Sequence, residues 1–141
     1  MVAEVTTFAF EGVDARPVKV QAQVTGGHNG ITIVGLPDKA VSEARERVRA
    51  AFSAIGLGLP PNRITVNLAP ADLPKEGSHF DLPIALAIMM EIGAVSKDLA
   101  EGFAVMGEVG LDGSIMPSMG SLPAAVAANG LDLGLICPAA N

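Results

Sequence analysis

The sequence predicts an α+β fold, a mixed β-sheet with helices packed on it, and three observations carry that reading. Stretches of period-two hydrophobicity alternate with stretches of helical spacing, in the order β-β-β-α-β-α-β-β-α-β. Half of the 141 residues are hydrophobic and 17% are charged, which is enough apolar material for a substantial core and too much for a disordered chain. With no Trp, no Tyr and only 5 Phe, that core must be built from small and branched side chains.

Thr6–Phe10 reads as the first strand. Val18, Val20, Ala22 and Val24 then alternate with Lys19, Gln21 and Gln23, the pattern of a half-buried strand. Thr25-Gly-Gly-His-Asn-Gly30 is a turn on composition, and Ile31–Val34 a short apolar strand, so residues 5–34 predict a three-stranded meander. Ala40, Val41, Ala44, Val48, Ala51, Phe52 and Ile55 recur at three- and four-residue spacing: a helix, with Pro37 and Asp38 suited to its start and Gly56 to its end.

Arg63–Ala69 alternates again as a strand, and Pro70 to Phe80 is a loop. Leu82 to Ile92 is apolar almost throughout, a helix buried on most sides, with Asp81 as its cap and Pro83 in its first turn. Ala104–Val109 and Ser114–Met116 flank Leu111-Asp-Gly113 and predict a hairpin. Leu122–Ala128 is a third helix, stopped by Asn129-Gly130, and Leu133–Ile136 a last strand closed by Pro138. The chain stops soon after that strand, which predicts a single domain over residues 1–141, slightly truncated.

Several functional classes fall away. The formal net charge is -6, and no basic residue follows Lys97, while Glu101, Glu108, Asp112 and Asp132 do. One cysteine, Cys137, excludes an internal disulfide and fits a reducing compartment. The N-terminus lacks a basic-then-apolar signal, and Leu82–Met90 is far short of the ~20 residues that span a bilayer. His28, His79 and Cys137 are too few for a structural zinc site. The expectation is a cytoplasmic domain with no metal, no membrane partner and no cofactor of its own.

Three constellations are candidates for chemistry. Gly26-Gly27-His-Asn-Gly30 through Gly35-Leu-Pro-Asp-Lys39 is glycine-rich ahead of a helix, where phosphate can bind, but it fits neither a P-loop nor a dinucleotide fingerprint and reads better as turn and cap. Pro74-Lys-Glu-Gly-Ser-His-Phe-Asp81 holds Ser78, His79 and Asp81 close together, yet a triad needs geometry and not adjacency. The first helix carries Arg45, Arg47 and Arg49 interleaved with Glu43 and Glu46: a solvated face, or a partner or nucleic-acid face.

At these residues the chain resembles a known family. Gly35-Leu-Pro-Asp-Lys-Ala-Val-Ser-Glu-Ala-Arg-Glu-Arg-Val-Arg49, Thr65-Val-Asn-Leu-Ala-Pro-Ala-Asp-Leu-Pro-Lys-Glu-Gly77 and Phe80-Asp-Leu-Pro-Ile-Ala-Leu86 are similar to segments of the magnesium-chelatase-related ComM/YifB family of bacterial AAA+ ATPases. The resemblance implies an N-terminal domain like the Lon protease domain, with a fold like domain 2 of ribosomal protein S5. It also implies a parent protein with a C-terminal AAA+ module that uses ATP and magnesium. Such a parent would assemble as a homo-hexamer and act on DNA, as a branch-migration helicase in natural transformation.

The same resemblance speaks to peptidase activity, because the Lon active site is a Ser-Lys dyad. His79 falls where the nucleophile should be, with Ser78 one place early, and Pro123 falls where the lysine should be. No other Lys or Arg after Lys97 can take over, and a serine without a base is a poor nucleophile. An unconventional pair of Ser78 with Lys75 would have to form inside one short loop. The expectation is a non-catalytic assembly or regulatory domain. The alternatives are an active Lon-like serine peptidase and a nucleic-acid-binding module.

Overall fold

The computed structural model describes residues 2–141. Strands β1 (Ala3–Glu11), β2 (Asp14–Thr25), β3 (Gly30–Val34), β4 (Arg63–Ala69), β5 (Phe103–Val105) and β8 (Gly134–Ile136) form one mixed six-stranded sheet in the order β3-β4-β2-β1-β5-β8. Strands β6 (Glu108–Val109) and β7 (Ile115–Met116) make a separate hairpin. Helices α1 (Lys39–Ala54), α2 (Asp81–Glu91) and α3 (Ser121–Gly130) complete the α+β fold.

The expected meander is corrected. β1 and β2 do form a hairpin, with Glu11 opposite Asp14 so that Gly12 and Val13 alone make the turn, Gly12 at φ 60°. β3, however, does not return along β2. It pairs in parallel with β4, and β4 lies antiparallel to β2. The reason is on β2: its Val20, Ala22 and Val24 meet Leu68, Val66 and Ile64 of the longer β4 in register, an apolar match that the short β3 cannot offer. A strand-by-strand reading cannot see that choice.

Alternation along β1 sorts the two faces of the sheet. Ala3, Val5 and Ala9 join Val18, Val20, Ala22, Ile64, Val66 and Leu68 in a core closed by α1 and α2. Phe8 points the other way and packs with Ala104, Met106, Ala124 and Ala128 under α3. Beyond α3, that second face is polar and open. Lys19 Nζ donates to Thr6 Oγ1 at 2.9 Å, Gln21 to Glu4 at 3.0 Å and Asn67 to Gln21 at 3.0 Å.

The helices are built as their spacing dictates. In α1 the buried positions are Val41, Ala44, Val48, Ala51 and Phe52, and Asp38 caps the start by accepting the Val41 N–H at 2.8 Å. Helix α2 buries Ile84, Ala85, Ala87, Ile88 and Met90, and fully burying such side chains stabilises by about 1.5–3 kcal/mol each. Two expectations change here. Asp81 is the first residue of α2 and not its cap, because its carboxylate is engaged elsewhere. The expected strand Ala104–Val109 breaks at Met106-Gly107, so β5 stays in the main sheet while β6 leaves for the hairpin. Gly107, at φ 157°, donates to His79 O at 3.0 Å and accepts from Leu82 N at 2.9 Å, tying the break to the start of α2.

Replacing Ile88 by Ala removes a side chain with no exposure from between α2 and the sheet. We expect a loss of about 2–5 kcal/mol in urea unfolding, against less than about 0.5 kcal/mol for Val126→Ala on the exposed side of α3.

Candidate functional site

A cleft of about 550 Å³ opens where the loop before α2 meets the start of α3. Gly77, Ser78 and His79 line it from the loop, Ser118, Met119, Gly120 and Pro123 from α3 and its approach, and Phe10 from β1. His79 and Pro123, the two positions matched to a Ser-Lys dyad, therefore share one cleft, with Ser78 beside them.

His79 is buried and occupied. Its Nε2 lies 2.7 Å from Phe8 O, and since a carbonyl only accepts, Nε2 carries the proton. The ring stacks at an angle against Phe10 and Phe80, with centroids 4.9 Å and 4.4 Å away. Burial pushes the imidazole pKa below its ordinary value, and the bond to Phe8 O and the charge of Asp38 oppose this only in part. Gly77 makes the ring's position possible: at φ 104°, a Cβ there would stand 2.8 Å from Nδ1.

Lys75 is wholly buried, outside the cleft lining. Its backbone bridges to Pro37, its N–H donating to Leu36 O at 3.0 Å and its carbonyl accepting Asp38 N at 2.9 Å. Its ammonium donates to Pro70 O. Burial lowers its pKa, against the opposing charge of Asp72. The structure thus does not assemble a Ser78–Lys75 pair or a Ser78–His79–Asp81 triad. The hydrogen bonds of these groups run elsewhere: the lysine ammonium to Pro70 O, the imidazole Nε2 to Phe8 O, and the carboxylate to Arg47.

Asp81 is fully buried, and Arg47 grips it side-on with one edge of its guanidinium, Nε to Oδ2 at 2.6 Å and Nη2 to Oδ1 at 3.0 Å. Val109 N–H adds a third donor at 3.1 Å, and Arg47 Nη2 also donates to Ala40 O at 2.9 Å. Burial raises the Asp81 pKa while Arg47 and the Val109 N–H pull it down, and the bond to Asp81 raises the Arg47 pKa against the effect of burial. The pair fastens α1 to α2 and to the β6–β7 hairpin.

The arginine face of α1 is corrected accordingly. Residues two apart on a helix stand about 200° around its axis, so Arg47 cannot share a face with Arg45 and Arg49. Arg45 and Arg49 are exposed, and Arg47 turns inward to Asp81. The glycine-rich turn is also not a helix-start phosphate loop, because β3 separates residues 26–30 from α1. Among the described residues no group of three or more His, Cys, Asp or Glu side chains is placed to hold a metal ion. No helix is long and apolar enough to cross a membrane.

A family model described as subunit ChlI of Mg-chelatase matches residues 20–141. The chain is 41% identical over 126 residues to the uncharacterized protein YifB of Salmonella typhimurium, covering 89% of this chain and 25% of that protein. It is 43% identical over 120 residues to competence protein ComM of Haemophilus influenzae, covering 85% and 24%. An uncharacterized protein of Mycobacterium tuberculosis matches at 41% over 120 residues, again 85% and 24%. The chain thus spans about a quarter of the length of these relatives.

Two measurements check the site. Arg47→Met leaves a buried carboxylate without its cation and should cost about 3 kcal/mol in urea unfolding, while Arg47→Met with Asp81→Leu should recover most of it. His79 is held neutral when folded but protonates near 6.5 when unfolded. Its contribution is therefore complete above that pH and is lost as pH falls toward the lowered folded value, at up to about 1.4 kcal/mol per pH unit. His79→Gln should weaken the fall in unfolding midpoint between pH 7.5 and pH 5, and an unchanged fall would contradict the assignment.

Proposed function

The chain belongs to the Mg-chelatase-like family defined by subunit ChlI, with relatives of the ComM and YifB type, and from that premise we propose that residues 1–141 are its non-catalytic N-terminal domain. The domain serves assembly or regulation of a C-terminal AAA+ motor that hydrolyses ATP with Mg²⁺. On this reading the parent is a cytoplasmic homo-hexamer that processes DNA as a branch-migration helicase, and the fold is of the S5 domain 2 type shared with Lon.

The observation that carries the reading is the cleft itself. It is formed, and at the two positions that the resemblance matches to the dyad it carries an imidazole hydrogen-bonded to Phe8 O and a proline, which supports a non-catalytic reading. Among the described residues the Ser78 hydroxyl makes no hydrogen bond to a base, and a nucleophilic serine needs one to be activated. An active peptidase is disfavoured on those grounds. A role at the motor is supported by length, since the relatives carry about three further quarters of chain outside the matched region.

The purified chain should cleave neither casein nor peptides, and Ser78 should resist a serine-reactive fluorophosphonate. Labelling that disappears in Ser78→Ala would reinstate the peptidase. For the assembly role, the full reading frame with and without residues 1–141 should be compared by sedimentation and ATP turnover. Deletion should lower the hexamer fraction or alter DNA-stimulated turnover, and identical behaviour of both forms would overturn the proposal.

A further inference from the structure

At the far end of the sheet from the cleft, two arginines converge on the turn between β2 and β3. Arg63 opens β4 and is the register partner of Gly30, and its Nε lies 3.9 Å from where a Cβ of Gly27 would stand. Arg49, on the exposed side of α1, brings Nη2 to 3.9 Å from the same point on Gly30. Both guanidiniums are exposed, and among the described residues neither has a carboxylate within ion-pair distance.

The surroundings are those of an anion site. A cavity of about 130 Å³ is lined by Arg49, Asn29 and Asn62 with no acidic residue, and Arg63 stands outside that lining, beside Gly27 on the same turn. The backbone N–H groups of Gly27, His28 and Asn29, all exposed, make no hydrogen bond to the rest of the chain. Gly27 and Gly30 both have positive φ, at 122° and 144°, and a Cβ at either would stand in ordinary contact with an arginine.

We propose that Arg49, Arg63, Asn29, Asn62 and the 27–29 backbone bind a phosphate group. Two forked guanidiniums match its oxygens with charge-assisted hydrogen bonds, and the carboxamide and amide N–H groups satisfy those that remain. The shared chemistry is the tetrahedral phosphate oxyanion, carried either by a small phosphate or by the backbone of a nucleic acid. The proposal goes beyond the assembly role and stands or falls without it, since none of these residues touches the cleft or the Arg47–Asp81 pair.

The test is an NMR titration of the isotope-labelled chain with inorganic phosphate, against sodium chloride at matched ionic strength. Saturable shifts of the 27–30 amides and of the Arg49 and Arg63 side-chain N–H groups, present with phosphate alone, are expected. Arg49→Gln and Arg63→Gln should each weaken phosphate binding by about tenfold. Arg16→Gln, which removes an exposed cation paired with Glu11, should leave it unchanged. Equal shifts with chloride, or equal loss in all three variants, would refute a specific site. A mixed-sequence single-stranded oligonucleotide forms the second arm. Binding much tighter than phosphate, salt-dependent and lost in the two variants identifies a nucleic-acid backbone as the source, and binding no tighter identifies a small phosphate.

Discussion

The bidentate pair between Arg47 and Asp81 holds the upper layer of this molecule in register. One carboxylate, with no exposure to water, receives a guanidinium from α1 and an N–H from β6 while standing on the first turn of α2. Removing the arginine leaves a fully buried carboxylate without its cation, whereas Arg47 is part-exposed and has Glu43 at 3.7 Å, so the cost of breaking the pair falls mainly on Asp81. Because α2 begins at this anchor, the loop before it is fixed as well. That loop places His79 against Phe8 and Lys75 against Pro37, so the shape of the cleft follows from an ion pair outside it.

Seen from that anchor, the cleft is a formed cavity in which His79 is bonded to Phe8 and Asp38 caps α1. An imidazole that donates to a main-chain carbonyl cannot take a proton from a hydroxyl with the same nitrogen, and an ammonium sunk beside Pro70 is held away from Ser78. His79, Lys75 and Asp81 join β1, α1 and α2 through their bonds to Phe8, the Leu36–Asp38 backbone and Arg47.

Much of the fold was legible in the sequence because its signals are periodic. The alternation of β2 and β4, the spacing of Val41, Ala44, Val48 and Phe52 in α1, and the apolar run of α2 each reach a correct element type from local pattern alone. Topology was not legible, since the parallel pairing of β3 with β4 is decided by which long strand offers the better apolar partner. The buried pair was missed for a related reason. Asp81 precedes an apolar helix, where a carboxylate is an ordinary cap, and Arg47 sits among exposed charges, where it looks like one more of them. Helical phase, which sets Arg47 opposite Arg45 and Arg49, was the one signal that separates it.

The two apolar clusters meet along a narrow line. β5 and β8, with α3 over them, join the rest of the sheet through β1, where a single register pair, Thr6 with Ala104, links the strands. By contrast β1 and β2 are zipped along the whole length of β1. The α3 side of the molecule is fastened instead at the break between β5 and β6: Gly107 is hydrogen-bonded to His79 and Leu82, and the Val109 N–H to Asp81. Force on the last third of the chain therefore reaches the anchored helices and the cleft loop through those bonds as well as through the packing of Phe8.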